Sequence, residues 1–180
     1  ITPEKPAVAY ASPNWVFDNI VGMAGVEGRR FHATSADSFV KGLEAMPNKE
    51  QLASVVVVDP SNPLGYRLTE GHVNRIEQLA RQYGFVTLFD DVFRGLQAKG
   101  KRHSSSEYSK NSIVVETTSK RFGTRGLGGT WTLTPKSLDI KGTAKNCQGC
   151  ENIVALVTHA LYESGYGERI IEMVSQNAKA

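Results

Sequence analysis

The run Val55-Val56-Val57-Val58-Asp59 places four β-branched residues together with no polar residue between them. A strand with one face in water alternates apolar and polar side chains, so this run calls for cover on both faces, as a central parallel strand has. Shorter β-rich runs occur at Ala7 to Tyr10, Phe85 to Phe89, Ile113 to Glu116 and Gly129 to Leu133. Helix-length segments separate them. After Thr69, a suitable N-cap, Val73, Ile76, Leu79, Ala80 and Tyr83 recur at helical spacing, and Gly84 follows where a left-handed C-terminal cap is expected. Ile153, Val154, Leu156, Val157, Ala160 and Leu161 give a second apolar face that stops near Gly165, and Ile170, Ile171 and Val174 mark a last amphipathic helix. Strands alternating with helices predict an α/β three-layer sandwich, a mostly parallel central sheet flanked by helices.

Composition narrows the class. The 180 residues suit one domain with its own core, and 21 Lys and Arg against 18 Asp and Glu leave a formal net charge of only +3. The basic residues are scattered; the densest group, Lys99, Lys101 and Arg102, sits in a polar stretch that reads as a solvated loop. Neither nucleic acid nor a membrane surface is expected as a partner. Two cysteines exclude a disulfide scaffold, and no apolar run approaches the roughly 20 residues of a membrane span. The opening ITPEKPAVAY lacks a signal peptide's layout, which points to the cytoplasm, and it does not begin with Met.

In such folds ligands gather at the carboxyl ends of the strands. After the valine run comes Asp59-Pro60-Ser61-Asn62-Pro63-Leu64-Gly65, a tight turn holding Asn62 between two prolines. After FVTLF comes Asp90-Asp91-Val92-Phe93; a carboxylate ending a buried strand needs a cation or a hydrogen-bond donor, although Asp91 could instead cap a following helix. After IVVE, three hydroxyls and a lysine (Thr117-Thr118-Ser119-Lys120) run into a glycine-rich turn where a backbone can approach an anion. A lysine directly after a buried strand is easily desolvated and made nucleophilic. Each signal also has a plain reading: a turn asparagine, a helix cap, a surface lysine.

Their order resembles the fold type I pyridoxal-phosphate enzymes, and within them the class I and II aminotransferases. Asn-Pro-x-Gly at Asn62, Asp-x-x-aromatic 28 residues on at Asp90, and Ser-Lys a further 30 on at Lys120 carry the resemblance, which covers the chain from about Pro6 to its end. It implies that Lys120 forms a Schiff base with pyridoxal 5'-phosphate, that Asp90 pairs with the pyridine nitrogen, and that Asn62 bonds the phenolic oxygen. Thr117 and Ser119 map onto phosphate ligands. In Ser12-Pro13-Asn14-Trp15 the aromatic maps onto the residue that stacks on the ring, with Tyr10 the weaker candidate. The implied substrates are an amino acid and a 2-oxo acid, and the implied assembly is a homodimer.

This chain departs from the pattern in three places. Phe93 stands where the family usually has a tyrosine, so a hydroxyl bond to the cofactor is missing. Gly128 stands where a phosphate-clamping arginine is usual; Arg125 in the same turn is the better substitute, with Arg121 nearby and the turn's backbone amides an alternative. Family members are also more than twice this length. The resemblance therefore implies that residues 1–167 are part of the large, cofactor-binding domain and that 168–180 begin the helix leading to an absent small domain. A decarboxylase or lyase of the same fold, or a non-catalytic fragment or degenerate homologue acting in binding or assembly, are the alternatives, and these 180 residues alone are expected to be inactive. Cys147-Gln148-Gly149-Cys150 is a lone CxxC and poor evidence for zinc, and His32, His72, His103 and His159 show no ligand spacing, so no metal is expected.

Overall fold

A computed structural model describes residues 1–14, 16–97, 105–109, 111–122, 130–135, 159–161 and 163–177. Outside them lie Trp15, the Lys99, Lys101 and Arg102 group, His103, the glycine-rich turn with Arg125 and Gly128, the Cys147 and Cys150 pair, and Ile153 to Val157. The strands are β1 (Ala7–Ser12), β2 (Glu27–His32), β3 (Leu52–Val58), β4 (Val86–Asp90), β5 (Ser112–Thr117) and β6 (Thr130–Leu133). The helices are α1 (Val16–Met23), α2 (Ala36–Ala45), α3 (Glu70–Tyr83), α4 (Thr118–Arg121) and α5 (Tyr166–Asn177). The six strands form one sheet in the order β2-β1-β3-β4-β5-β6. Two compact units divide the chain: residues 1–90 with 104–114, and residues 91–103 with 115–180.

In the first unit β1 pairs in parallel with β2 and β3, and β3 with β4, in a register running from Ser54 opposite Val86 to Val58 opposite Asp90. The valine run is covered on both faces, as its lack of alternation predicts. Val55 and Val57 pack with Ala7 and Ala9 of β1 beneath Phe39 and Leu43 of α2 and Val73, Ile76 and Leu79 of α3. Val56 turns the other way and meets Tyr10 and Val21, with Phe17 of α1, Val58 and Leu88 packed around them. Helix layer, sheet and helix layer thus follow from the period-two alternation of a single strand. Each fully buried valine or leucine here contributes about 1.5–3 kcal/mol.

The Thr69 to Gly84 helix forms as its punctuation predicts. The Thr69 N–H donates to His72 Nδ1 at 3.1 Å, and His72 Nε2 faces Asp37 Oδ1 at 3.0 Å. That contact holds the Asp37 carboxyl below its ordinary range. Gly84 closes the helix at φ 70°. Two elements carry weaker sequence signals. Strand β2, Glu-Gly-Arg-Arg-Phe-His, is charged because it lies at the sheet edge, where charge discourages pairing with another chain. Helix α2 is short, and its start is marked by Ser35, which accepts from the Ser38 N–H while Ser38 Oγ accepts from the Ser35 N–H.

In the second unit α5 matches the helix expected around Ile170 and Ile171 and begins at Tyr166, with Ile171 buried. Among the described residues no helix is long and apolar enough to cross a membrane.

Gly42 sets helix propensity against packing. A Cβ there would lie 2.5 Å from the Phe31 ring, which is itself held edge-on to Phe39 at 5.1 Å. Replacing a mid-helix glycine by alanine normally gains about 1 kcal/mol, but overpacking costs about 1–3 kcal/mol. Gly42→Ala should therefore lower stability in urea denaturation, and the same change should raise it in a Phe31→Ala background.

Candidate functional site

The carboxyl ends of β1 and β3 open onto a cleft in the first unit. Its floor is apolar (Ala11, Phe17, Phe39, Val56, Val58) and its polar groups are Ser12, Asn14, Ser61, Asn62 and Tyr66. Asn62 is half-buried there, and its amide makes no hydrogen bond with another described residue. Asn14 is buried and accepts from the Val16 N–H at 3.3 Å, so one end of its amide holds the start of α1. An apolar floor with a few convergent polar groups is the general character of a small-molecule site.

The Asn62 loop is tied at its base. Asp59 is 1% exposed and accepts from Arg67 Nε at 3.2 Å, from Arg67 Nη2 at 3.3 Å and from the Leu68 N–H at 3.3 Å. Its own N–H donates to the Asp90 carbonyl at 3.3 Å. Within the loop, Ser61 N–H donates to Tyr66 O at 2.9 Å and Gly65 N–H to Ser61 O at 2.7 Å, with Gly65 at φ 71°.

Asp90 ends β4 half-buried; the deeply buried carboxylate of the pair is Asp91, at 1% exposure. The reading of Asp90 as the buried strand-end acid is corrected accordingly. After Asp91 the chain continues into a 3-10 turn, Arg94–Leu96, whose N-cap residue is Phe93, with no side-chain cap from that residue.

In the second unit Thr117 caps α4, its hydroxyl accepting from the Ser119 N–H at 3.3 Å. Lys120 sits in this four-residue helix and is exposed, not desolvated as its place after a strand predicts, because α4 turns it off the strand into solvent. Its Nζ lies 5.9 Å from the centre of the Phe93 ring. Beneath it, buried Glu116 accepts from Arg121 Nη1 at 2.9 Å and faces Arg94 Nη1 at 3.4 Å, tying α4 and the 3-10 turn to the end of β5.

The structure thus brings Lys120 beside Phe93, Thr117 beside Ser119, and Asn62 into a polar cleft. Trp15 and Arg125 lie outside the described residues. Tyr10 faces away from a stacking role: it is buried with Phe17, and its hydroxyl donates to Asp18 Oδ1 at 2.7 Å. Sequence reasoning missed Tyr66, Asp59 with Arg67, and Glu116. Glu116 ends an apolar run just as Asp90 does, so the same desolvation argument points to it.

Glu116→Ala should leave Arg94 and Arg121 without their shared carboxylate and lower stability by about 3 kcal/mol in urea titration, with Glu116→Gln losing less. Burial pushes the Tyr66 phenol above its ordinary range, a hydrogen bond with Ser61 opposes this, and the charge of Asp59 adds to it. The folded chain therefore holds this proton more tightly than the unfolded one, a contribution complete below the tyrosine range and lost as pH rises through Tyr66's own titration. Phenolate absorbance should lose a late-titrating step in Tyr66→Phe; loss of a step at the ordinary value would contradict it.

Residues 2–170 match the family described as aminotransferase class I and II. A curated Arabidopsis thaliana protein, Probable aminotransferase TAT3, is 29% identical over 73 residues, 39% of this chain and 16% of that protein. The aspartate aminotransferase of Thermus thermophilus shares the fold with TM-score 0.79 at 18% identity, covering 98% of this chain and 48% of that one. A PLP-bound C-S lyase from Staphylococcus hominis gives TM-score 0.77 at 16% identity, covering 98% and 48%. The chain spans about half the length of these solved structures and about a sixth of the curated relative. With the match running over nearly its whole length, this chain belongs to the class I and II aminotransferase family.

Proposed function

We propose that the protein is a pyridoxal-phosphate-dependent enzyme transferring an amino group between an amino acid and a 2-oxo acid, with Lys120 as its reactive amine. The observation that carries the reading is the family match together with Lys120 placed directly after β5, its Nζ beside an aromatic ring and making no hydrogen bond or ion pair with another described residue. The donor chemistry of each unit supports the cofactor: in the first, the Asn62 amide, with no hydrogen bond to another described residue, over an apolar floor, and the Asp90 carboxylate; in the second, the Thr117 and Ser119 hydroxyls.

Pyridoxal phosphate, when bound, supplies an electron sink for the charge left at a substrate's α-carbon. The chain's residues then have separate tasks. Asp90 holds a proton on the ring nitrogen through an ion pair. The Asn62 amide donates to the phenolic oxygen. Thr117 and Ser119 would offer hydroxyls to the phosphate and Phe93 an apolar wall, while the family resemblance assigns the phosphate charge to Arg125 and the ring contact to Trp15. The Lys120 amine, a base positioned on a short helix, would carry the proton between the substrate α-carbon and the cofactor C4′. The reading extends to a homodimer in the cytoplasm, with residues 1–167 part of a large domain and 168–180 the start of the helix leading toward a small one.

A lyase of the same fold is the second reading, favoured by the likeness to the Staphylococcus hominis C-S lyase. Which bond breaks is set by how the substrate is oriented.

Protein incubated with pyridoxal phosphate and reduced with borohydride should carry the pyridoxyl mass on the peptide containing Lys120, and lose it in Lys120→Ala. An adduct spread over other lysines, or none at Lys120, would sink the reading. Exchange of an amino group onto an added 2-oxo acid supports transfer, whereas sulfide release from a thioether amino acid supports the lyase.

A further inference from the structure

The loop that presents Asn62 and Tyr66 to the cleft begins and ends on one ion pair. Asp59 at its start accepts two N–H groups of Arg67 at its end, at 3.2 and 3.3 Å, and the Leu68 N–H at 3.3 Å. Neither Asp59 nor Arg67 lines the cleft, whereas Ser61, Asn62 and Tyr66 between them do. The strand side is fixed as well, because the Asp59 N–H bonds the Asp90 carbonyl of β4 at 3.3 Å. Across the loop, the Ser61 N–H donates to Tyr66 O at 2.9 Å, so a shift at Arg67 passes directly to Tyr66 and its bonded partner.

Charge type matters here. A guanidinium engaging both oxygens of a carboxylate fixes angle as well as distance, which an ammonium does not. Asp59 is almost wholly buried and the Arg67 side chain is 25% exposed, so the pair carries a desolvation cost that apolar residues of the same size would avoid. What the pair adds is a single geometry for the loop.

We infer that Asp59 and Arg67 are positioning residues, whose two-pronged pair sets where the loop holds the Asn62 amide and the Tyr66 phenol and so sets the cleft's affinity for its ligand. The identity of that ligand as pyridoxal phosphate rests on the function proposed above. The positioning role does not.

Two measurements test it. The first is the dissociation constant for pyridoxal phosphate, by equilibrium dialysis, in the parent, Asn62→Ala, Arg67→Met and the double variant. Arg67→Met should weaken binding roughly tenfold, and the double variant should bind about as weakly as the weaker single, because one residue acts through the other. Arg67→Lys should regain melting temperature while leaving affinity reduced. Losses that add, or an Arg67→Met that melts earlier with unchanged affinity, overturn the inference. The second needs no ligand: the Asn62 side-chain amide resonances, assigned through Asn62→Ala, should move in Arg67→Lys and stay in place in Arg81→Met on the exposed side of α3. If the parent binds no pyridoxal phosphate but these resonances move, the cofactor reading fails and the positioning role stands; if they do not move, the positioning role fails.

Discussion

Burial of β3 on both faces is the constraint from which the first unit follows. Once Val55 and Val57 face α2 and α3 while Val56 faces α1, the strand has no wet side. A neighbour is then needed along each edge, and β1 and β4 supply them in parallel. The same constraint decides what happens where the strand stops. The chain leaves the strand at Asp59, whose carboxylate is as buried as Val55 and Val57. A charge in that place must find donors at once. Arg67 and the Leu68 N–H are those donors, and the chain between them has no choice but to close into a loop at the sheet's carboxyl edge.

That pattern recurs along the sheet. Buried acids follow β3 at Asp59 and β4 at Asp91, and another, Glu116, is the penultimate residue of β5. Glu116 draws in Arg94 and Arg121 as Asp59 draws in Arg67. Asp59 and Glu116 anchor the segments beside them, which carry Asn62 in one unit and Phe93 and Lys120 in the other. Chemistry at strand ends is thus supported by electrostatics at strand ends, and the two need different residues.

Much of this is legible in the sequence. The valine run and the Thr69 and Gly84 punctuation are strong local signals because they reflect backbone preference and two-sided burial. Strand β2 was not legible, since an edge strand rich in arginine has the composition of a loop and becomes a strand only through pairing with β1. Asn62 and Lys120 stood out by motif spacing, but their surroundings did not. Whether Asp90 or Asp91 is the deeper of the two depends on which way the first residue past the strand turns, and spacing carries no information on that. The exposure of Lys120 likewise depends on α4 forming directly after Thr117, a four-residue helix below the resolution of hydrophobic periodicity.

The Asp59 and Arg67 pair separates stability from specificity. If the only requirement at the end of β3 were a stable core, an apolar pair would meet it, because removing two charges from water costs about as much as their attraction returns. An apolar contact, however, is non-directional and tolerates several loop conformations of similar energy. A carboxylate with two guanidinium donors and one backbone donor accepts only one. For a loop whose outer residues have no regular structure to hold them, direction is what a contact must supply. The presence of an ion pair here, on a loop that lines the cleft, is explained by the need for one conformation rather than by the need for more stability.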